Sequence, residues 1–550
     1  LRYEEKQPDL LKAALLLLVV FLVIYSPWNL GIKELYSKEG KYAAVALEMD
    51  LSRPSTVAHG ETLSYFYPLY PTLVALGYKS GLGVEFGLRL VAVLAVLALA
   101  AIAFETGRRM AGDQAGVVAG AMAFSSAIMM EKGVDGDPFC LAVIFLFCAW
   151  LTWFNFGAGK AQWNRAWCFS AVFCGLAFYT IGWSAVFYYA LPLIFLRRPL
   201  TVWGKLRLPG FFGALAIIAF FVLLWGVPRW TVGADIPFRD LDLSSELDSA
   251  YFKSLFTFPF VLALEFLPWT FFAWPGFCVA FHPLESNPLF SRFLRTICYT
   301  LFFALWLSPF TRSLDFMLLV PPVAVLSGMS YWLLARRHGV ELKKLLNYAM
   351  SVALAIALLC LFMFLVPTSW WGIPPFNSLS AAFVPHGVGF LSDYRWQGIL
   401  QTALAVVIAV ACLKHYRGRI MLWAYVLAFC AVSWLCFWAV QVPHLGQRNS
   451  SRDIAELIRD DLGGAFRPGL TLYKSGEIAD LYILGCYFGC GVKKIRDFQD
   501  LPGKEKDIYL LTLEPPVFPG RQWDKISERR YKDTKLTLWK GSLVEKGPLP

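Results

Sequence analysis

Runs of about twenty apolar residues recur along almost the whole of this chain, separated by short charged loops. A hydrocarbon layer about 30 Å thick takes about twenty helical residues to cross. The runs near this length are 12–30, 88–106, 113–130, 137–156, 167–181, 183–196, 208–227, 256–281, 293–309, 314–335, 345–366, 396–413 and 420–441, of which the short, crowded pair within 167–196 is open to a different count. Of the 550 residues, 57% are hydrophobic and 16% charged. Soluble proteins run at roughly 45–50% and about 25%, so lipid, not a water-bounded core, must receive these segments. Disorder, coiled coil and a compact cytosolic enzyme are excluded. The fold class that follows is an α-helical polytopic membrane protein with about thirteen transmembrane helices. The first run lacks a small-residue cleavage site and reads as a retained anchor.

The net charge of +11 raises the question of nucleic acid. Much of it sits in short loops at every second crossing: Arg108 and Arg109; Lys160 and Arg165; Arg197, Arg198, Lys205 and Arg207; Arg336, Arg337, Lys343 and Lys344; Lys414, Arg417 and Arg419. That is the positive-inside pattern. It orients the chain in a plasma (inner) membrane, with the N-terminus cytoplasmic and everything after Gln441 outside, and needs no nucleic-acid partner. Residues 1–445 form the membrane domain. After Gly446 the composition turns soluble, and 446–550 reads as a small extracytoplasmic α/β domain. Ser450 and Asp453 form a capping-box pattern opening the helix RDIAELIRDDL, and LTLYKS, DIYLLTLE and KLTLWKG read as strands. Within 31–87, KEGKYAAVALEM places Tyr42, Val45, Ala46 and Met49 on one helical face. The following SYFYPLYPTLVALGYK is apolar but short and proline-broken. Both are predicted to lie on the membrane surface.

There is no GxxxxGK loop followed by Ser or Thr, and no CxxC, HExxH or GxSxG. Chemistry must therefore come from acids and bases at the outer surface, acting on an already activated substrate. The acids there are Glu39 and, in MEKGVDGDPF, Asp135 and Asp137. They offer a general base, a divalent-cation site, or both. The plainer alternatives are an N-cap for Asp137, which precedes Pro138, and a solvated first-turn acid for Glu39. Lys38, Lys41, Arg229 and Arg312 are outer cations, for which interfacial snorkelling is the alternative role. Tyr65, Phe66, Tyr67, Tyr70, Trp370 and Trp371 are candidates to line a sugar cleft. His59, His386 and His444 lack mutual ligand spacing. Glu265 lies inside an apolar run. Cys486 and Cys490 stand open between a disulfide and two separate thiols.

KEGKYAAVALEM (38–49) resembles the DEGRYAEIAREM-type motif of the GT-C superfamily of polyprenyl-phosphate-sugar glycosyltransferases. The branch it resembles contains protein O-mannosyltransferase-like enzymes and the aminoarabinose transferases that modify lipid A. The likeness continues in order through GETLSYFYPLYPTLVALGYK (60–79), FGLRLVAVLAVLALAAIAFETGRRMAGDQAGVVAG (86–120), VDGDPFCLAVIFLF (134–147), GLAFYTIGW (175–183), LPWTFFAWPG (267–276) and SPFTRSLDFMLLVPPVAVL (308–326). Lys38-Glu39 stands where the family has Asp-Glu, and Ile181 where it has a lysine. The resemblance implies a GT-C fold and transfer of a hexosyl or pentosyl unit from a polyprenyl-phosphate donor, by inverting displacement at the outer face, to a lipid, glycan or protein acceptor. Carried onto these residues, Glu39 and then Asp137 are the catalytic candidates. Lys38, Lys41, Tyr42, Arg229 and Arg312 would meet the donor phosphate, Tyr65, Tyr67 and Tyr70 the substrate cleft, and Asp135 with Asp137 a divalent cation. Two other classes stay open: a non-catalytic relative that binds the lipid carrier, to which Lys38 points, and a lipid or solute transporter. The transporter would need polar broken helices at mid-membrane and related halves, and neither is evident.

Overall fold

The computed structural model describes residues 8–26, 30–31, 34–36, 38–51, 57–58, 61–62, 67–231, 249–366, 395–415, 420–448, 451–466, 470–475, 481–488, 491–495, 507–513, 515–516, 521–531 and 534–543. In chain order, α1 (Leu10–Tyr25) is followed by α2 (Glu39–Glu48), a small hairpin of β1 (Val57–Ala58) and β2 (Glu61–Thr62), and α3 (Leu69–Lys79). Then come α4 (Val84–Ala111), α5 (Asp113–Ser125), α6 (Ala127–Lys132), α7 (Phe139–Phe154), α8 (Trp163–Ile181), α9 (Trp183–Ile194) and α10 (Pro209–Thr231). The helical part continues with α11 (Ser249–Glu265), α12 (Thr270–Phe277), α13 (Pro288–Leu307), α14 (Val320–Leu365), α15 (Arg395–Lys414) and α16 (Leu422–Arg448). The C-terminal part holds α17 (Ser451–Leu462), β3 (Thr471–Ser475), α18 (Leu481–Phe488), β4 (Gly491–Ile495), β5 (Asp507–Thr512), β6 (Arg521–Tyr531) and β7 (Thr534–Leu543).

Every predicted apolar run falls on helix over most of its length. Among the described residues, seven helices are long and apolar enough to cross a membrane, or eight if the bent pair Tyr251–Glu265 and Thr270–Phe277 is one span. That pair turns by 109°, at a break where Pro268 has no N–H to continue a helical ladder. α1 and α9 are apolar but shorter. The runs 314–335 and 345–366 are joined, because α14 is a continuous helix of 46 residues. Arg336, Arg337, Lys343 and Lys344 lie at its middle, between the apolar stretches 320–335 and 345–365.

The chain divides into two compact units. The first comprises Leu1–Leu30, Arg89–Val227 and Pro237–His444; the second comprises Gly31–Leu88, Pro228–Ile236 and Leu445–Pro550. The juxtamembrane segment thus groups with the C-terminal domain.

In the first unit, buried polar side chains are met mostly by backbone carbonyls. The Tyr25 hydroxyl lies 2.8 Å from the Phe124 carbonyl and 2.9 Å from that of Met129, at the break between α5 and α6. Trp434 Nε1 donates to the Ile24 carbonyl at 2.8 Å, and Trp269 Nε1 to Ser125 Oγ at 2.9 Å. Away from water, an unpaired donor has no solvent to fall back on. α14 passes so close to α5 that a methyl on Gly328 would strike the Ala115 carbonyl. One charged pair is sealed in: Arg295 on α13 binds Glu285 and also donates to the Gly276 carbonyl at 2.8 Å.

In the second unit the sheet order is β4-β3-β5-β7-β6, with β4, β3 and β5 parallel and β7 antiparallel to both of its neighbours. The predicted helix and strands are all present. α17 and α18 cover one face, where Ile454, Ile458, Leu484 and Phe488 meet Leu472, Leu511 and Leu538. Tyr473, Ile508 and Leu510 point to the other face, with Trp523 and Trp539 packed against them. Ser450 of the expected capping box lies outside the described residues. The described cap is different: the Glu34 carboxylate accepts from the Ser451 N–H at 3.1 Å and the Arg452 N–H at 3.4 Å. Burial pushes the Glu34 carboxyl up, against the opposing pull of those two N–H donors.

Candidate functional site

α2 forms because its middle is a run of small and aliphatic residues, AAVAL, without a helix breaker. It buries more than the single face predicted. Gly40, Ala43, Ala44, Val45 and Ala46 are all covered, because α3 packs on one side and α18 on another. Glu39 opens the helix and is only 4% exposed. Its Oε2 accepts from the Tyr36 N–H at 3.2 Å while its own N–H donates to the Tyr36 carbonyl at 3.0 Å. The expectation of a merely solvated acid therefore does not describe Glu39. Lys38, the N-cap residue, and Lys41 are exposed within one turn of it. The Lys41 ammonium sits 5.5 Å from the centre of the Tyr482 ring, and Lys474, itself buried, approaches the same ring at 4.6 Å.

Tyr42 is half-buried and meets Tyr70 edge-to-face, with ring centres 5.6 Å apart. Tyr70 has no exposed surface, and its hydroxyl donates to the Leu88 carbonyl at 2.8 Å. It packs between α2 and the start of α4. Tyr67 is half-buried. Arg229, near the end of α10, is buried at 6% exposure. Tyr65, Phe66, His59, Trp370, Trp371, His386 and Cys490 lie outside the described residues, as does most of 228–255 and 367–395. Cys486 is a free thiol pushed up by burial.

The first unit holds the other candidates. Asp135 and Asp137 are half-buried in the loop before α7. Asp137 Oδ1 accepts from the Phe139 N–H at 2.9 Å, and the Asp137 N–H donates to the Asp135 carbonyl at 2.8 Å. Asp137 therefore does cap the start of α7. Among the described residues no group of three His, Cys, Asp or Glu gathers to hold a metal.

Arg312 is exposed and precedes the short helix Ser313–Leu319, whose Asp315 carboxylate accepts from the Arg312 N–H at 2.7 Å. This short helix packs against α6 and α7, with Met317 Sδ 4.0 Å from Cys140 Sγ. The short helix that follows Arg312 thus packs beside the start of α7. Asp315, buried at 4% exposure, is the acid that sequence reading passed over. Its signal was an acid inside the apolar stretch SLDFMLL, three residues after a singled-out arginine. Beside the α11–α12 elbow lies an apolar cavity of about 340 Å³, lined by Leu262, Phe266, Phe302 and Val323 among others.

Residues 67–225 match the sequence profile of the dolichyl-phosphate-mannose-protein mannosyltransferase family. No curated protein sequence matches the chain. Among solved structures, ArnT from Cupriavidus metallidurans in the apo state superposes with a TM-score of 0.68 at 16% identity, covering 96% of this chain and 97% of that one. The same protein bound to undecaprenyl phosphate gives a TM-score of 0.65 at 15% identity, covering 96% and 98%. At such identities it is the fold that is shared, and it is shared from end to end.

Proposed function

The chain carries the GT-C fold, and from that premise we propose that it is an integral-membrane glycosyltransferase. It moves a sugar from a polyprenyl-phosphate donor to a lipid, glycan or protein acceptor at the outer face of the membrane. The observation that carries the reading is the first turn of α2, where a buried, hydrogen-bonded carboxylate lies between two exposed lysines. Glu39 takes the proton from the acceptor hydroxyl or amine, a role that contributes about 10²–10⁴-fold. The deprotonated acceptor attacks the anomeric carbon from the face opposite the phosphate, inverting it. The bond to the phosphate oxygen breaks, and Lys38 and Lys41 stabilise the charge that builds there. Arg229 is a further candidate for the phosphate and Tyr42 and Tyr67 for the substrate; on the first unit the corresponding candidates are Arg312 for a phosphate and Asp137, the second choice, for the base. The apolar cavity near the α11–α12 elbow suits a lipid chain in size and chemistry. ArnT's structure with undecaprenyl phosphate is consistent with such a donor.

Lys38, standing where the resembling family has an acid, favours one other reading: a relative that binds the lipid carrier without turning it over. One experiment separates them. Purified protein in lipid is given a panel of polyprenyl-phosphate sugars, wild type beside Glu39→Gln, with and without chelator. Release of polyprenyl phosphate from one donor, lost in Glu39→Gln, supports transfer and names the sugar. Binding of undecaprenyl phosphate without turnover of any donor would establish the non-catalytic relative.

A further inference from the structure

The assignment of Glu39 as base leaves open what holds its carboxylate in place, and the second unit answers with residues more than four hundred positions away. Three consecutive residues lead into α2, and each is tied. The Glu34 side chain caps α17 through the Ser451 and Arg452 N–H groups. The Leu35 N–H donates to the Tyr487 hydroxyl at 2.9 Å. The Tyr36 N–H donates to the Glu39 carboxylate. Tyr487 in turn donates to Glu85 Oε1 at 2.6 Å, an oxygen that also accepts from Arg452 at 2.6 Å. On the other side of the turn, α18 presses directly on Gly40. A methyl there would overlap the Ile483 side chain and come 2.9 Å from the Ile483 N. Cys486 Sγ lies 3.7 Å from the Gly40 carbonyl.

We propose that Tyr487 is a positioning residue for Glu39: the C-terminal domain sets the base by holding, through the Tyr487 hydroxyl and the backing of α18, the strap Glu34–Tyr36 and the first turn of α2. This rests on the reading of Glu39 as base. The Tyr487 hydroxyl is used in both directions, donating to Glu85 and accepting from Leu35. Phenylalanine keeps the ring and loses both bonds. The strap is then free to shift, and the Tyr36 N–H that orients the carboxylate shifts with it. Small displacements of a catalytic group are costly, on the order of 10²-fold for about 1 Å.

The test compares Tyr487→Phe with Arg452→Gln in the full chain in lipid, using whichever donor of the panel turns over. Arg452→Gln weakens the same Glu85 cluster but keeps both the backbone N–H that Glu34 caps and the Tyr487 hydroxyl that holds Leu35. Competent molecules are counted by undecaprenyl phosphate binding. For Tyr487→Phe we expect kcat per competent molecule to fall about tenfold with donor KM unchanged, and the acidic limb of the pH–rate profile to move to higher pH. A carboxylate that loses an N–H donor becomes harder to ionise. The ionisable groups on the packed elements are Lys38, Lys41, Tyr42 and Glu48 on α2, Glu34 and Tyr36 in the strap, Tyr70, Tyr78 and Lys79 on α3, Glu85 on α4, and Tyr482 and Cys486 on α18. All survive the substitution. The Tyr487 phenol, pushed up by burial and by Glu85, is neutral throughout the working range, so the shift reports geometry and not a lost charge. Arg452→Gln should leave both kcat and the limb in place. Hydrogen exchange supplies an arm that needs no turnover: amides 39–43 should lose protection in Tyr487→Phe and keep it in Arg452→Gln. Unchanged kcat, limb and protection in Tyr487→Phe, or equal changes in both variants, would overturn the proposal. A Glu39→Gln enzyme as active as wild type would instead remove the base assignment beneath it.

Discussion

The two units satisfy their buried polar groups in different ways. In the first, tyrosine, tryptophan, serine and threonine side chains return to backbone carbonyls, as Tyr25, Trp434, Thr152 and Ser327 do. In the second, charged side chains reach between segments far apart in sequence: Glu34 to α17, Arg452 to Glu85, Arg529 to Asp461. A helix in lipid must close its own hydrogen bonds, so polar contacts between such helices are mostly neutral and end on backbone carbonyls. A domain in contact with water can hold its parts together with ions, because their desolvation is incomplete. The catalytic candidates fall on either side of this division, and the contrast says how each should respond to change.

The largest effect is expected at Glu39. Glu39→Gln keeps the side chain's size and an oxygen for the Tyr36 N–H but removes the base, so turnover should fall about 10²–10⁴-fold with donor binding retained. Asp137→Asn should cost far less. Asn keeps an oxygen for the Phe139 N–H and caps a helix about as well as Asp, so the expected loss is only that of a negative charge at a helix start, about 0.3–1 kcal/mol. Initial-rate and donor-binding assays on the two variants rank them. If Asp137→Asn is the deader enzyme, the base belongs to the first unit.

The exception in the first unit gives the next effect. Arg295 and Glu285 are both almost fully enclosed, with side-chain exposures of 9% and 4%. Arg295→Met leaves a buried carboxylate without its cation, a change that costs about 3–5 kcal/mol. Thermal unfolding in lipid should show a large drop in Tm, and Arg295→Met with Glu285→Leu should recover much of it. A double variant no better than the single would mean that the bond to the Gly276 carbonyl, and not the ion pair, carries the stability.

A smaller loss is expected at Gly40. Gly40→Ala forces α2 and α18 apart against backbone atoms, and overpacking of this kind costs about 1–3 kcal/mol. Its signature should be confined to the second unit: faster hydrogen exchange in α2 and α18, with α4–α7 protection beyond Arg89 unchanged.

Much of the fold was legible because its cause is local. An apolar run of twenty residues states its own environment, and LTLYKS or DIYLLTLE alternates visibly. α18 was missed because LYILGCYF is a short apolar run whose helix and strand readings are equivalent without its partners. β6 was missed because six of the eleven residues of RQWDKISERRY are charged, which suits an edge strand that must not recruit another chain. At the site, Glu39 and Lys41 were readable from their motif, but their setting was not. Nothing near Glu34 or Tyr487 announces that they act together, since that pairing arises only when 31–36 meets 451–488. The same holds for Tyr70: an aromatic beside a candidate site looks the same in sequence whether it faces the substrate or the core.

The smallest effect separates surface ion pairing from the sealed pair of the first unit. Asp461 on α17 takes both Asp461–Arg529 bonds, at 2.7 and 3.1 Å, from β6, and the Arg529 guanidinium holds its carboxyl below the ordinary value of 3.8. A depressed carboxyl contributes stability above its unfolded pKa and loses it as pH falls through the folded one. The contribution is therefore complete at neutral pH and disappears below about pH 4. Because the arginine is partly exposed, the gain is screened, and Asp461→Asn should lower the melting of the C-terminal sheet by no more than about 4 °C at pH 7. At pH 3 and below, the difference between variant and wild type should shrink towards zero, and at high salt it should shrink at pH 7 as well. Hydrogen exchange in β5 and β6 of the full chain, followed against pH and salt, reads both. A difference that survived acid and salt alike would show that Asp461 is held as Arg295 is, by enclosure, and that the contrast between the two units does not extend to their ion pairs.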